Sequence, residues 1–414
     1  MSSPAIKTPI PGGGIGLSAI DQQEIDAVTK ILKTPEKLFR YQGEEKSQCD
    51  LLEQELCGKT GAKHALFISS GTSALSCCLA ALEIGPGDEV IVPAYTYIAT
   101  AAAVVDVGAV PVLAEIDNSL GMDPSDLERK ITPYTKAVIV VHMMSVPAKL
   151  DAIREVAKRH GIKVIEDCCQ AIGATYHGKY CGMESDAWAW STNYYKNITS
   201  MEGGVFFAND DRVFQRGLFQ SDPALQMWGS PLAEKGEIPP FSRAGYRGNE
   251  ICAAIARVQL GKLDDMLRKT RSLKKTLLAN LNPPIHYTLQ EVDDPEGDCG
   301  ISCAFIANSQ EEAEGLSKAL KAEGLTIGSI YNGSIPDRHI YSNWTSILQK
   351  NGATPLGYPW KDPAYKGKVE YSPTCCPNTL DILARCLRLS ININMSEQNM
   401  REIAQAFNNA DRQL

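Results

Sequence analysis

Residues 137–167 read AVIVVHMMSVPAKLDAIREVAKRHGIKVIED and contain the pattern that decides the fold. Ala137–His142 is apolar up to its last residue, and Lys163–Glu166 is a second short, strand-like run. Between them, Lys149–His160 has the apolar spacing of an amphipathic helix. Parallel neighbouring strands need a long crossover connection, which is usually a helix. This stretch therefore predicts parallel strands with a helix packed on their face.

The same alternation extends along the N-terminal two thirds of the chain. Further strands are predicted at His64–Ile68, Glu89–Val92, Val110–Ala114 and Ala187–Trp190. Helices are predicted at Ser18–Ile31, with Ser18 as N-cap, and at Ser73–Glu83, Tyr97–Val107 and Pro124–Lys130. Alternating strands and helices, with strands that are apolar throughout, predict an α/β fold with a mostly parallel sheet covered on both faces.

The pattern changes after about residue 260. We expect a long amphipathic helix at Leu260–Leu281, then a smaller α+β unit with strands at Gly300–Ala307 and Leu389–Asn394 and helices at Ser309–Glu323 and Ser396–Asn408. We therefore divide the chain into an N-terminal arm and helix at 1–45, a large domain at 46–262 and a small C-terminal domain at 263–414.

Composition excludes several classes of function. The formal charge is 41 − 49 = −8 with no basic stripe, so no nucleic-acid partner is expected. The longest apolar stretch, Tyr97–Ile116, is interrupted by charged residues, Gly and Pro, and a membrane span needs roughly 20 apolar residues. The 13 cysteines include three adjacent pairs and lack zinc-site spacing. We expect reduced thiols, no metal site, no membrane span and a cytoplasmic protein.

Three motifs carry the chemistry, and the first is a glycine turn. Residues 69–75 read SSGTSAL and lie between a predicted strand and a predicted helix. The start of a helix presents free backbone N–H groups and the positive end of the helix dipole, which suit a phosphate. Thr72 and Ser73 add hydroxyl donors. Taken alone, the same pattern is also that of an ordinary Ser/Thr helix cap.

The second motif, residues 164–171, reads VIEDCCQA. A predicted strand ends here at two carboxylate residues, and an amide residue follows them. Open α/β sheets bind ligands at the carboxyl ends of their strands. Asp167 is therefore a candidate partner for a protonated ring nitrogen or a candidate magnesium ligand, and a capping role is the third alternative. No phosphate-binding Gly-x-x-x-x-Gly-Lys-[Ser/Thr] loop accompanies it, which disfavours a nucleotide site.

The third motif, residues 188–199, reads WAWSTNYYKNIT and is followed by Glu202-Gly203-Gly204. A lone lysine is usually a surface charge. The neighbours of Lys196 are aromatic and hydroxyl residues, which favour a neutral, nucleophilic amine.

Taken in order, SSGTSAL, then GDEVIVP at 87–93, then EDCCQA at 166–171, then Lys196-Asn197-Ile198-Thr199 with Glu202-Gly203-Gly204, resemble the DegT/DnrJ/EryC1/StrS aminotransferases. The resemblance runs from about Phe39 to the C-terminus and thins after Lys262. It implies the pyridoxal-phosphate (PLP) fold-type I architecture, with a seven-stranded sheet in the large domain. It also implies a homodimer with the active site at the subunit interface.

The resemblance implies a role for each matching position. Lys196 corresponds to the Schiff-base lysine, and Asp167 to the partner of the cofactor's ring nitrogen. Gln170 lies near the ring hydroxyl, and Tyr97 stacks on the ring. The positions implied at the phosphate are Gly71, Thr72, Ser73 and Ser191.

Several positions depart from the family pattern. Gly245 stands where the family commonly has an Asn that reaches the partner's phosphate, Asn193-Tyr194-Tyr195 replaces a His-Pro-Thr-like run, and His142-Met143-Met144-Ser145 replaces a His-Leu-Tyr-Gly-like run. We expect these altered positions to line the substrate pocket. The substrate candidates are Tyr194, Tyr195, His142 and Arg247. Arg243 and Arg247 suit either a bidentate clamp on an anionic substrate group or interface salt bridges.

The implied function is an aminotransferase that moves an amino group from glutamate or glutamine to a keto-sugar, keto-cyclitol or related acceptor, in amino-sugar or secondary-metabolite biosynthesis. A PLP-dependent dehydratase or lyase is an alternative, although the family's dehydratase branch replaces the lysine that Lys196 retains. A non-catalytic PLP-binding regulator is the other alternative, because a fold does not fix a function.

Overall fold

The structure is a computed structural model that describes residues 3–41, 46–225, 238–241, 244–333 and 336–414. Arg243 and part of the predicted arm segment 1–45 lie outside these ranges.

The described residues form one large sheet and two smaller ones. The strands are β1 His64–Ile68, β2 Glu89–Pro93, β3 Val110–Ala114, β4 Thr135–Val141, β5 Lys163–Asp167, β6 Thr175–Tyr176, β7 Lys179–Tyr180, β8 Ala187–Ser191, β9 Gly204–Ala208, β10 Tyr287–Leu289, β11 Ser302–Ala307 and β12 Cys386–Ser390. Within the described ranges, the large sheet has seven strands in the order β1-β9-β8-β5-β4-β2-β3. Neighbouring strands within this sheet are parallel, except that β9 runs antiparallel to both β1 and β8. The predicted mostly parallel sheet is confirmed.

Helices cover both faces of this sheet. They are α1 Ile15–Ser18, α2 Gln22–Leu32, α3 Gln48–Thr60, α4 Gly71–Ala81, α5 Ala99–Asp106, α6 Pro124–Lys130, α7 Leu150–His160, α8 Asp211–Ser221, α9 Glu250–Ala279, α10 Gln310–Ala322, α11 Thr345–Leu348, α12 Pro377–Arg385 and α13 Glu397–Gln413. Within the ranges that the structure describes, no helix is long and apolar enough to cross a membrane.

Strand residues alternate between two cores. Ile139 and Ile165 pack in the core that contains α4 and α5, whereas Val138 and Val164 pack in the core that contains α3 and α7. This alternation is the two-residue period of a strand. It decides which side chains at the strand ends can reach the candidate site.

Two predicted helices begin at the wrong residue. The segment predicted as one helix from Ser18 is α1 followed by α2, because Asp21 and Glu24 form a capping box that starts α2. The predicted Leu260–Leu281 helix begins at Glu250, where the Asn249 side chain accepts a hydrogen bond from Cys252 N at 2.9 Å. The predicted domain boundary at 262/263 therefore falls inside α9.

A smaller α+β unit follows α9. Strands β10, β11 and β12 form an antiparallel sheet, and β12 begins at Cys386, three residues before the predicted Leu389, because Cys386 pairs with Ile306. Phe305 of β11 stacks on Phe407 of α13 with ring centroids 3.8 Å apart. This unit has a core of its own.

A buried carboxylate joins helix α12 to the large sheet. Glu115 follows β3 and is 6% exposed, and it accepts hydrogen bonds from Asn378 N at 3.1 Å and from Thr379 N and Oγ1 at 2.7 and 2.6 Å. The first N–H groups of a helix have no partner within the helix, so Glu115 satisfies them and complements the helix dipole.

We expect Glu115→Ala to lower the free energy of unfolding by about 3 kcal/mol, because buried donors at the start of α12 lose their acceptor. Denaturant titration measures this change. Glu291→Ala is the matched control, since Glu291 pairs with Lys149 but its side chain is 53% exposed, and a change below about 1 kcal/mol is expected. Equal destabilisation in the two variants would contradict the role of Glu115.

Candidate active site

The three motifs meet at one edge of the large sheet. Ile68, which precedes the glycine turn, pairs with Gly204, and Gly204 also pairs with Ser191. Because β9 runs antiparallel to its neighbours, its first residue lies beside their last residues. Asp167 ends β5 and pairs with Ala189 of β8, so it lies at the same edge.

The glycine turn forms a close-packed cradle at the start of α4. A Cβ added at Gly71 would lie 2.7 Å from Ser191 Cβ and 2.9 Å from Cys169 Sγ. A Cβ at Gly204 would lie 2.2 Å from the carbonyl oxygen of Ser70. Neither position has room for a side chain. The Ser70 hydroxyl caps the helix by accepting from Ser73 N at 3.1 Å, and the amides of Gly71 and Thr72 belong to the same first turn, which suits an anion.

Asp167 is a buried carboxylate held at both oxygens. Its Oδ2 accepts a hydrogen bond from Thr100 Oγ1 at 2.9 Å, and its Oδ1 accepts one from Cys169 N at 3.0 Å. The Thr100 hydroxyl is bonded in turn to that of Thr96 at 2.8 Å. An ionised carboxylate has about four acceptor positions, so this one retains capacity for a further N–H donor.

Lys196 lies in a tight loop between β8 and β9. Its backbone N–H donates to the carbonyl of Asn193 at 3.0 Å, and the Ser200 N–H donates to the carbonyl of Thr192 at 2.8 Å. Asn197 is buried and donates from Nδ2 to the carbonyl of Ile172 at 2.9 Å. The loop backbone is therefore fixed, while the Lys196 side chain keeps partial solvent access.

The electrostatic field of Lys196 reaches Cys169, at the Asp167 end of the site. Burial raises the pKa of the Cys169 thiol well above its ordinary value, the nearby Asp167 raises it further, and the positive charge of Lys196 acts in the opposite direction. Cys169 N also bonds Asp167, and a Cβ at Gly71 would lie 2.9 Å from Cys169 Sγ, so Asp167 and the glycine turn are neighbours, and Lys196 is close enough for its charge to act on the same thiol.

The aromatic candidates Tyr97, Tyr194 and Tyr195 have exposed rings. Tyr194 and Tyr195 are edge to face with centroids 5.0 Å apart, and Tyr195 is 77% exposed. Tyr97 is 48% exposed, and its ring lies 5.3 Å from that of His339. Gln170 Oε1 accepts a hydrogen bond from Met144 N at 3.4 Å.

The prediction that His142 lines the substrate pocket is wrong. His142 is completely buried; its Nε2 bonds Glu166 at 2.9 Å and its Nδ1 accepts from Ala148 N at 3.1 Å. It lies on the face of the sheet opposite Asp167. Burial opposes ionisation of Glu166, but hydrogen bonds and charges from His142 and Arg154 outweigh it and lower the pKa of Glu166.

This buried cluster also brings potential metal ligands together. The ligand atoms of His142, Glu166 and Cys168 lie within 4.8 Å of one another. The His142 nitrogens and the Glu166 oxygens are already hydrogen-bonded within the protein. Arg154 at 3.0 Å and Gly182 N at 2.6 Å also donate hydrogen bonds to Glu166. The cluster is satisfied as an internal ion-pair network.

Arg247 lies beside the glycine turn through its backbone, which bridges Ile68. Its side chain is 41% exposed and pairs with the buried Asp222 at 2.8 Å. The ion pair lies within the chain, and the substrate clamp stays a prediction. Gly245 is exposed, and a Cβ there would meet no atom within 4 Å, so space does not explain the absence of the family's Asn.

Sequence reasoning missed Thr100 and Cys169. Thr96 lies before α5 and Thr100 lies in its first turn, so no helical spacing between the two hydroxyls pointed to Thr100. Cys169 follows Asp167 by two residues, which is the spacing at which an Asp side chain bonds the backbone N–H.

The DegT/DnrJ/EryC1/StrS aminotransferase family matches residues 18–356. The chain belongs to this family. Among solved structures, S. venezuelae DesV in complex with a ketimine intermediate is 26% identical, with 95% of each chain covered and a TM-score of 0.74. 3-Amino-5-hydroxybenzoic acid (AHBA) synthase is 23% identical, over 98% of this chain and 99% of that one, with a TM-score of 0.76.

The PLP form of the putative sugar aminotransferase Spr1654 from Streptococcus pneumoniae is 21% identical, over 98% of this chain and 99% of that one, with a TM-score of 0.75. Family membership and these structures identify the chain as a PLP-dependent aminotransferase of fold-type I, as the sequence motifs predicted.

We expect Thr100→Val to weaken PLP binding about 10-fold, because Asp167 loses a buried hydrogen bond that orients its charge. Titration of the cofactor-free protein with PLP, followed by visible absorbance, measures the affinity. Thr100→Ser keeps the hydroxyl and should bind PLP like the wild type. Wild-type affinity in the valine variant would mean that Asp167 does not depend on Thr100.

Proposed function

We propose that this enzyme transfers an amino group from glutamate or glutamine to the ketone of a sugar, a cyclitol or a related polyol. The observation that carries the proposal is the convergence of a helix start, a buried carboxylate and a lysine at one sheet edge. Each of these groups has a separate task in amino transfer, and they belong to three separate segments of the chain.

The residues present fit PLP. The Gly71 cradle leaves backbone amides open to a phosphate, and Asp167 has acceptor capacity for a ring N–H. Tyr97 offers a partly exposed ring for stacking, and Gln170 a side-chain amide for the ring hydroxyl. We assign cofactor binding to Gly71, Thr72, Ser73, Tyr97, Asp167, Gln170, Ser191 and Lys196.

Lys196 moves the proton in the proposed mechanism. PLP, when bound, accepts the electron pair that is left when a proton leaves the substrate carbon. Lys196 Nζ would take the proton from the α-carbon of the donor as general base and deliver it to the C4′ carbon of the cofactor as general acid, and it would carry the proton in the opposite direction when the keto acceptor reacts. Asp167 would place its carboxylate beside the ring nitrogen. The carboxylate would then hold a proton on that nitrogen.

The acceptor would enter past Tyr194 and Tyr195. Both rings are exposed beside Lys196, so they present apolar faces and hydroxyl groups to an incoming ring. The Asn193-Tyr194-Tyr195 departure from the family pattern supports an acceptor less sugar-like than the family norm. Arg247, if its pair with Asp222 opens, could bind an anionic group of that acceptor.

We also propose a cytoplasmic homodimer with the active site at the subunit interface, acting in amino-sugar or secondary-metabolite biosynthesis. The exposure of Tyr195 and of Gly245 near the site supports a second copy there. The 13 cysteines are all free, which supports a reducing compartment.

We expect Lys196→Ala to lose covalent attachment of PLP and to slow amino transfer by at least about 10³-fold, because both the attachment and the proton carrier are removed. Borohydride reduction followed by peptide mass spectrometry locates the attached lysine. Lys179→Ala is the control, since Lys179 is a surface lysine that pairs with Glu184. Attachment that persists in the Lys196 variant would contradict the assignment.

A second measurement tests the reaction class. Glutamate or glutamine should convert the visible spectrum of the wild type to that of the pyridoxamine form, and a keto acceptor should reverse it. A spectrum that neither donor changes would favour a PLP-binding regulator. Loss of a hydroxyl from a keto-sugar without amine transfer would favour the dehydratase alternative.

A further inference from the structure

The N-terminal arm crosses from the small unit to the loop of Lys196. Along its first part, the Lys7 and Thr8 amides donate to Glu402 of α13 at 3.0 and 2.8 Å, and the Thr8 hydroxyl donates to Glu402 at 3.0 Å. The Ala5 and Ile6 amides donate to the side chain and backbone of Glu323. The arm is therefore fixed to the small unit by its backbone.

The hydrogen bonding continues to the start of α1. Asn399 Nδ2 donates to the carbonyl of Pro9 at 3.1 Å, and Asn392 Nδ2 donates to the carbonyl of Gly13 at 2.8 Å. Asn392 also donates to the Ser18 hydroxyl at 3.0 Å. These bonds hold both ends of the segment that turns into α1.

Helix α1 then lies directly against the Lys196 loop. Gly16 N donates to the carbonyl of Lys196 itself at 3.1 Å. A Cβ at Gly16 would lie 2.7 Å from Thr199 N and 2.9 Å from both Ile198 C and Lys196 O. These contacts are backbone atoms, which have no freedom to rotate away. Two backbones therefore touch at a position where only glycine fits.

A buried polar network that includes Gln259 of α9 also contacts the Lys196 loop. Gln259 of α9 is completely buried, and its Oε1 accepts from Thr199 N at 3.4 Å while its Nε2 donates to Glu24 at 2.7 Å. Lys262 Nζ bonds Glu24 at 2.8 Å and the carbonyl of Ala19 at 2.8 Å. Ala19 and Glu24, which follow α1, are thus tied to α9, and the Lys196 loop contacts Gly16 of α1 on one side and Gln259 of α9 on the other.

We propose that Gly16 is a positioning residue for Lys196, and that the arm transmits the position of the small unit to the lysine. This inference rests on the proposed function of Lys196. Proton transfer requires the lysine nitrogen to lie within hydrogen-bond reach of the reacting carbon, and a displacement of about 1 Å can cost about 100-fold in rate. The backbone of Lys196 is the anchor of that nitrogen, and Gly16 bonds it directly.

The decisive variant is Gly16→Ala, with Gly12→Ala as its matched control on the same arm. A Cβ at Gly12 meets no atom within 4 Å. Gly16 lies in a helix and its φ is not positive, so alanine is compatible with its backbone and is excluded by the close approach alone.

Gly16→Ala should push the loop away, lower kcat about 10- to 100-fold and leave the KM of the amino donor within about twofold. The pH at which the visible band of the lysine-bound cofactor changes should shift by more than the scatter between wild-type titrations. Gly12→Ala should match the wild type in all three measurements. A folded Gly16→Ala protein with wild-type kcat and spectral titration would overturn the proposal.

A second variant covers the case in which Gly16→Ala does not fold. Glu402→Ala removes the acceptor of three arm hydrogen bonds far from the lysine. Trypsin should cleave it after Lys7 faster than the wild type, and its spectral titration should shift from that of the wild type by more than the scatter between wild-type titrations. Unchanged cleavage, or faster cleavage with a wild-type titration, would overturn the transmission through the arm.

Borohydride trapping in the wild-type protein distinguishes failure of this inference from failure of the proposed function. If borohydride traps no cofactor on Lys196 in the wild-type protein, the proposed function fails. If the cofactor is trapped there and the Gly16 and Glu402 variants titrate like the wild type, only the positioning role fails.

Discussion

The structure depends on the register at which β9 pairs with β1 and β8. Gly204 lies opposite Ile68 on one side and Ser191 on the other, so one residue aligns the ends of three strands. A slip by one residue would turn the alternating side chains to the opposite face. The contact of Gly204 with the Ser70 backbone excludes a side chain, so the register is fixed by packing as well as by hydrogen bonds.

The edge of the sheet at which Asp167 lies could be predicted from the sequence. Asp167 ends an apolar strand, and the carboxyl ends of parallel strands share an edge, so its placement followed from the pattern alone. The Lys196 loop followed from its position after the predicted strand Ala187–Trp190. What the pattern could not provide was the distance between segments that are more than 100 residues apart, such as Gly16 and Lys196.

The error at His142 had a signal in the sequence. Val138 and Val140 face one core and Ile139 and Val141 the other, so His142 continues the face of Val140. By the same period, Glu166 and Asp167 point to opposite faces, and His142 pairs with Glu166. The resemblance suggested a pocket position, and the two-residue period would have corrected it.

Helix starts such as Glu250 were missed for another reason, since the cap at Asn249 is a local signal without an apolar period.

The electrostatics of the site disfavour a thiolate beside Asp167. Cys169 lies close enough to Lys196 for the charge of the lysine to act on its thiol, and a thiolate there would compete for an electrophilic cofactor. Burial, and then the charge of Asp167, raise the pKa of this thiol well above its ordinary value, so it stays protonated near neutral pH. The carboxylate of Asp167 therefore adds to the effect of burial in keeping this sulfur protonated. In the proposed site, the same carboxylate that receives the ring nitrogen also disfavours the thiolate that would compete with Lys196.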